Sequence, residues 1–128
     1  MKRAINTDKA PSPVGPYSQS IRTGDFLFVS GQIALDAATG KMHNSDVGEE
    51  THMIMKNLEA ILEAAGLDFE NVVKCSIFVR DIRQYARINE IYAGYFTGPH
   101  PPARELVEVS NLPKDASVEI SLIATTNS

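Results

Sequence analysis

Hydrophobic and polar side chains alternate in two consecutive stretches near the end of the chain, a pattern typical of β-strands with one buried face. The second stretch alternates Val118, Ile120 and Leu122 with Ser117, Glu119 and Ser121. In the first stretch Val107 and Val109 join the buried set, which leaves Arg104, Leu106 and Glu108 for the polar face. If the two strands pair in one sheet, we expect Arg104 and Glu119 to share that face.

The first third of the chain predicts an irregular segment followed by a β-hairpin. Prolines and glycines cluster in residues 1–19, and proline fixes φ and removes a backbone donor. Turn-forming residues at 23–25 separate an extended run at 18–22 from the apolar stretch that begins at Phe26, which favours a hairpin. Gly31 inside that stretch indicates a β-bulge or a close backbone approach.

Two stretches with helical spacing lie on either side of a third strand. Asp46, with Glu49 three residues later, predicts the start of the first helix, and Gly66 predicts its end. Asp81 and Gln84 predict the start of the second helix, which ends before residue 98. The apolar face of the first helix is Ile54, Leu58, Ile61, Leu62 and Ala65.

The run VVKCSIFVR at 72–80 predicts the strand between these helices. Val73, Cys75, Ile77 and Val79 share one face of it, so Cys75 is expected in the core rather than as a nucleophile. The predicted order is therefore hairpin, helix, strand, helix, strand, strand. This order favours an α+β fold, a two-layer sandwich with a mixed sheet and two helices on one face.

Composition sets limits on the function. The chain has 128 residues, 43% of them hydrophobic, which fits a single domain over 1–128. Its net charge of −4, without a basic stripe, argues against nucleic acid as a partner. No apolar run is long enough for a membrane span or a secretion signal, so we expect a soluble, cytoplasmic protein. No metal-ligand motif or phosphate loop is present, so neither a metal nor a cofactor is predicted.

Candidate chemistry centres on Arg104 and Glu119. The plainer interpretation is a solvated strand face with a surface ion pair. The alternative is a site in which the guanidinium holds a substrate carboxylate beside an acid–base group. Tyr17 is either an edge aromatic residue or a phenol at a pocket rim, and Asn89 is either a solvated amide or a ligand contact. Ser30 and Gly31 are either a plain bulge or a place where backbone amides meet a ligand.

Short motifs along the whole chain resemble the reactive intermediate deaminase (RidA, YjgF-type) family. Each motif alone is weak, but the ordered set at matching spacing is specific. The motifs are PPAR at 101–104, VEV at 107–109, LPKD at 112–115, VEI at 118–120, AP at 10–11, GPYSQ at 15–19, SGQI at 30–33, NL at 57–58, AAGL at 64–67 and NE at 89–90.

The resemblance implies a chorismate-mutase-like fold and a homotrimer with ligand sites between subunits. It implies hydrolysis of short 2-enamino or 2-imino acids to 2-keto acids and ammonia, a detoxification reaction that needs no cofactor. At matching positions, Arg104 would hold the substrate carboxylate and Glu119 would orient or activate water. The positions that would line the pocket are Tyr17, Ser30, Gly31 and Asn89. If Arg104 lies near Glu119, its charge would lower the pKa of that carboxyl group.

One departure from the family pattern concerns the pair after the arginine. Active members often carry a small pair such as Ser-Cys there, whereas Glu105 and Leu106 stand here. Leu106 would share the face of Arg104 and narrow the pocket, and Glu105 would compete for the guanidinium if it reached Arg104. An alternative function on the same scaffold is a non-catalytic trimer that binds 2-keto acids or related small carboxylates.

Overall fold

The computed structural model describes residues 1–127, which form a six-stranded sheet with two helices against one face. The α+β two-layer prediction is confirmed. The strands are β1 (Arg3–Ile5), β2 (Ser20–Thr23), β3 (Phe26–Gln32), β4 (Val72–Val79), β5 (Ala103–Glu108) and β6 (Val118–Thr125), and the helices are α1 (Val47–Ala64) and α2 (Tyr85–Ala93). None of the helices in residues 1–127 has the length and apolar character needed to cross a bilayer.

The sheet order is β1-β2-β3-β6-β4-β5, and only the pairing of β4 with β5 is parallel. The predicted hairpin is the antiparallel pair of β2 and β3. β1 was not predicted, since residues 1–19 were expected to be irregular. It is only three residues long and lies at the edge of the sheet, where a short strand leaves little periodicity in the sequence.

Helix α1 begins and ends where the sequence predicts. The Asp46 side chain accepts a hydrogen bond of 2.8 Å from the backbone N–H of Glu49, an N-cap. Gly66 follows the helix with a φ of 75°, a left-handed conformation that suits glycine. The predicted apolar face is buried against the sheet at Ile54, Leu58, Ile61 and Leu62.

The start of α2 differs from the prediction. The Asp81 side chain accepts from the N–H of Arg83 and caps a short 3₁₀ turn at Ile82–Gln84, and α2 itself begins at Tyr85. Its residues Ile88, Ile91 and Tyr92 are buried and complete the helical layer. The core lies between this layer and the sheet, where Cys75 is fully buried as expected.

The prediction that Arg104 and Glu119 share one face of the sheet is wrong, because β4 lies between their strands. Cys75 on β4 pairs with Arg104 on β5 and with Leu122 on β6, so Arg104 points to the helical side. Phe78 pairs with Glu119, which therefore points to the opposite side, here called the open face.

Other residues of β5 also lie on the face opposite to the predicted one, for the same reason. Leu106 and Glu108 were predicted on the polar face with Glu119. They pair with Ile77 and Val79 of the core face, so neither of them lies on the open face. Val107 lies on the open face and is 41% exposed instead of buried. Because β5 is an edge strand at the margin of the helical layer, the alternation of apolar and polar residues along it does not indicate which face is buried.

Two irregularities adjust the register of the sheet. A shift between Val29 and Gln32 places one extra residue in β3 opposite β6, which confirms the bulge predicted at Gly31. A second shift, between Val72 and Lys74, turns Val73 outward, where it is 41% exposed, and buries Val72. The prediction that Val73 shares the buried face of Cys75 is therefore wrong.

Candidate functional site

A cleft of about 470 Å³ opens beside the bulge of β3. It brings together four of the predicted site residues, Tyr17, Ser30, Gly31 and Glu119. Its other lining residues come from the N-terminal segment, from the end of β3 and from the turn before β6, namely Pro11, Ser12, Val14, Gln19, Gln32, Ile33, Leu35, Pro113 and Lys114. We call this the carboxylate cleft, after Glu119.

Glu119 lies directly over Gly31. A Cβ atom added to Gly31 would stand 2.8 Å from Cδ and 3.1 Å from Cγ of Glu119, and closer still to Oε2. Any side chain at position 31 would therefore displace the carboxylate. The glycine in the bulge is required by this close approach, since its backbone does not have a positive φ.

Burial raises the pKa of the Glu119 carboxyl group above its ordinary value of 4.5. The side chain has no hydrogen bond or ion pair to any residue within 1–127, so nothing offsets the loss of hydration. The expectation that Arg104 lowers this pKa is not met within one chain, because the two residues lie on opposite faces. A raised pKa increases the protonated fraction of a carboxyl group at a given pH, which favours a role in proton transfer.

The N-terminal wall of the carboxylate cleft is fixed by Gln19. This side chain is 2% exposed and bonds the backbone at three residues: Thr7, Ala10 and Pro11. Tyr17 follows this wall at the rim, with 51% of its surface exposed. Ser30 is held by a bond of 2.6 Å from its hydroxyl group to the carbonyl oxygen of Ser18. The irregular segment is thus ordered, as the sequence predicted.

Arg104 forms a second group on the helical side of the sheet, at the edge strand. One guanidinium nitrogen donates to the side-chain oxygen of Asn89 at 2.6 Å, and the guanidinium carbon lies 5.1 Å from the centre of the Tyr92 ring. Among residues 1–127 no carboxylate lies within ion-pair distance of Arg104, so its remaining donors face solvent. We call Arg104, Asn89, Tyr92 and Leu106 the arginine group.

The two residues after Arg104 take separate environments. Glu105 points to the open face, where it accepts a hydrogen bond from Ser76 and forms an ion pair of 3.2 Å with Lys74. These partners lower the pKa of Glu105 and keep it away from the guanidinium. Leu106 lies on the face of Arg104, as predicted, and packs against the core.

The carboxylate cleft and the arginine group cannot meet within one chain. Two strand spacings separate Arg104 from Glu119 across the sheet, roughly 10 Å, and the register adds about 10 Å along it. Their side chains also point to opposite faces. The residues predicted to form one site therefore gather in two places within one chain.

The comparisons with known proteins agree along nearly the whole chain. The family model described as "Endoribonuclease L-PSP" matches residues 7–126. A RutC family protein of Pyrococcus horikoshii is 48% identical over 97% of this chain and 98% of its own. The chain belongs to the RidA/YjgF/RutC family. This confirms the resemblance found in the motifs.

Solved structures of the RidA/YjgF/RutC family share the fold. The Rid family protein YyfA of Yersinia pestis has a TM-score of 0.95 and 44% identity, covering 98% of this chain and 99% of that one. The structure of TdcF from E. coli with bound serine has a TM-score of 0.91 and 37% identity, covering 96% and 98%. These names give the family, and the reaction of this chain has to be argued from its site.

Sequence reasoning missed three residues around the site. Tyr92 was not selected as a candidate, although the guanidinium of Arg104 lies over its ring. Lys114 lines the carboxylate cleft from a turn that was interpreted only as the connection between two strands. Glu50 was not singled out, although it is 1% exposed and bonds the start of β6. Only Glu50 left a signal in the sequence, because the helical spacing places this carboxylate on the apolar face of the first predicted helix.

Among residues 1–127 no cluster of potential metal ligands occurs.

Proposed function

We propose that this protein hydrolyses short 2-imino acids, and the enamines in equilibrium with them, to 2-keto acids and ammonia. The observation that carries the proposal is the partly desolvated Glu119 carboxylate, which has no hydrogen-bond or ion-pair partner among residues 1–127, at the wall of a cleft large enough for a small acid. A general acid–base residue benefits from a pKa shifted toward the operating pH and needs access to water. Burial shifts the pKa of Glu119 upward, and its side chain lines the cleft.

The reaction adds water to a C=N bond. Glu119 would accept a proton from water as the oxygen attacks C2, and would then pass that proton to the nitrogen. Glu119 would then take the hydroxyl proton of the resulting carbinolamine and deliver it to the nitrogen, so that C=O forms as the C–N bond breaks. Ammonia and the 2-keto acid are released, and atoms and charge balance without a cofactor. Positioned acid–base catalysis of this kind contributes roughly 10²–10⁴-fold in rate.

Arg104 would hold the substrate carboxylate. Its guanidinium is a planar fork of donors, already oriented by Asn89 and by the face of Tyr92, and it retains free N–H groups. A substrate bound in this way would present C2 to the catalytic carboxylate only if Arg104 and Glu119 came from two different chains.

We therefore propose a homotrimer in which each site combines the carboxylate cleft of one chain with the arginine group of its neighbour. The open face supports an association, because Phe26, Phe28, Val73 and Val107 are each more than 40% exposed on it. Several large apolar side chains exposed on one face of a sheet are often covered by a partner. The number three follows from the family resemblance, and the need for a partner follows from the separation of the two groups.

A coupled assay tests the activity. A threonine dehydratase supplies 2-iminobutanoate, and the rate of 2-ketobutyrate release is followed at constant dehydratase turnover with and without the purified protein. Faster release with wild type but not with Glu119→Gln supports the proposal. A rate that the protein leaves unchanged at any concentration contradicts it.

The second candidate is a trimer that binds 2-keto acids without turnover. Leu106 favours it, since a branched aliphatic side chain beside Arg104 offers no polar group to a reacting imine. Calorimetric titration with 2-ketobutyrate, combined with no acceleration in the coupled assay, would establish this alternative. Binding together with acceleration would establish the deaminase.

A further inference from the structure

A buried carboxylate lies behind the carboxylate cleft. Glu50, in the first turn of α1, is 1% exposed, and its Oε2 accepts hydrogen bonds from the backbone N–H groups of Ser117 at 2.6 Å and Val118 at 3.0 Å. These two residues directly precede Glu119. Burial raises the pKa of Glu50, while the bonds from Ser117 and Val118 oppose that shift. A buried carboxylate is unfavourable unless its hydrogen bonds are made, and here both are made to one backbone segment.

The backbone segment that Glu50 holds begins with an unusual turn. Lys114 and Asp115 both have left-handed conformations, with φ of 55° and 54°. Each non-glycine residue in this region costs on the order of 1 kcal/mol and persists only where its surroundings fix it. Lys114 lines the carboxylate cleft together with Glu119, so the turn forms one wall of the site.

Arg80 holds the same turn from its other side. One guanidinium nitrogen donates to the carbonyl oxygen of Asp115 at 3.1 Å, and the backbone N–H of Arg80 donates to the carbonyl oxygen of Ser117 at 3.1 Å. The charge of Arg80 also favours the ionised form of Glu50. Glu50 and Arg80 therefore fix the backbone from residue 115 to residue 118.

We infer that Glu50 is a positioning residue for the carboxylate cleft, acting through the amides of Ser117 and Val118 on the side chains of Lys114 and Glu119. Glu50 does not line the cleft itself. Without its acceptor, two buried N–H groups would lose their partner and the left-handed turn would lose its inner support. The Glu119 carboxylate, one residue further along, would then no longer be held over Gly31.

The kinetic test of this inference rests on the proposed deaminase function, whereas the hydrogen-exchange test does not. Glu50→Ala removes the acceptor, and Glu50→Gln keeps an oxygen in place without the charge. Arg80→Met removes the hydrogen bond from the guanidinium to the Asp115 carbonyl oxygen. Because Arg80 is exposed, this variant replaces Glu50→Ala as the test if Glu50→Ala does not fold. Thr51→Val is the matched control, because Thr51 is buried in the same helical turn but bonds only the Val47 carbonyl oxygen within α1.

Two measurements on the folded variants decide the question. Hydrogen exchange at the Ser117 and Val118 amides should be roughly tenfold faster or more in Glu50→Ala, since the lost bonds are buried. In the coupled imine assay kcat should fall roughly tenfold or more, whereas KM should change little because Arg104 binds the substrate. Arg80→Met should also speed amide exchange and lower kcat, and Thr51→Val should change neither the exchange rate nor kcat.

The outcomes separate this inference from the proposed function. If Glu50→Ala shows wild-type exchange at both amides, or faster exchange with wild-type kcat, Glu50 has no positioning role and the inference fails. If wild type shows no deaminase activity, the proposed function fails, and hydrogen exchange at the Ser117 and Val118 amides still tests the positioning. If Glu50→Ala does not fold, wild-type exchange in Arg80→Met overturns the inference.

Discussion

Gly31→Ala gives the most direct test of the carboxylate cleft. The new Cβ would stand 2.8 Å from Cδ of Glu119, whereas ordinary contact begins at 3.4 Å, and Oε2 would have to move further than Cδ. The three atoms nearest to the new Cβ all belong to Glu119, and the φ of Gly31 is accessible to alanine. The substitution therefore moves one carboxylate and leaves the fold in place.

The expected loss follows from that displacement. A catalytic group misplaced by about 1 Å costs on the order of 10²-fold in rate, so kcat in the coupled imine assay should fall roughly 10–100-fold. The midpoint of thermal unfolding should change by only a few degrees. Gly98→Ala is the matched control, since its Cβ would meet only the Glu70 side chain at 3.9 Å, an ordinary contact.

Three results would refute this reasoning. A Gly31→Ala protein with wild-type kcat would show that the position of Glu119 over Gly31 does not matter for turnover. An equal loss in Gly98→Ala would show that the assay reports a general effect of adding a methyl group. A crystal structure of Gly31→Ala with Glu119 unmoved would remove the physical basis of the prediction.

Three further variants test the other parts of the site. Arg104→Lys should lose most imine hydrolysis in the coupled assay, because an ammonium group cannot reproduce the planar fork or the contact with Tyr92, and near-normal turnover would refute the clamp. Glu119→Gln should bind 2-ketobutyrate in calorimetry but lose turnover. It should also be more stable than wild type in chemical denaturation above pH 4.5, because the raised pKa means that ionised Glu119 destabilises the folded state, and this advantage should disappear below that pH. Leu106→Ala should raise relative activity on the leucine-derived imine, and an unchanged substrate ranking would show that Leu106 does not face the site.

The sequence was sufficient for most elements of the fold, with β1 and the exact start of α2 as exceptions, and for much of the carboxylate cleft. Periodicity located both helices, because amphipathic spacing and caps are local signals, and Gly31 was correctly assigned to a bulge. Tyr17, Ser30, Gly31 and Glu119 were selected as candidates, and the structure brings all four to one cleft. Their roles in binding and catalysis remain predictions.

The sequence could not show which strand lies between β5 and β6. The two strands are consecutive in the chain, and consecutive strands usually pair, but here β4 separates them. The face assigned to each residue depends on this order, so Arg104 was placed on the wrong side while Glu119 was placed correctly. Strand order is decided by packing between distant elements, which local alternation does not encode.

The separation of Arg104 from Glu119 also accounts for their different electrostatics. Within one chain Arg104 is exposed and has no carboxylate partner among residues 1–127, while the pKa of Glu119 is raised because nothing compensates its burial. In the proposed trimer, the guanidinium of a neighbouring chain would lie at the cleft whether or not a substrate is bound, and alone it would lower the pKa of Glu119. A substrate carboxylate bound to that guanidinium would cancel much of its charge, so Glu119 would keep a raised pKa while the substrate is in place.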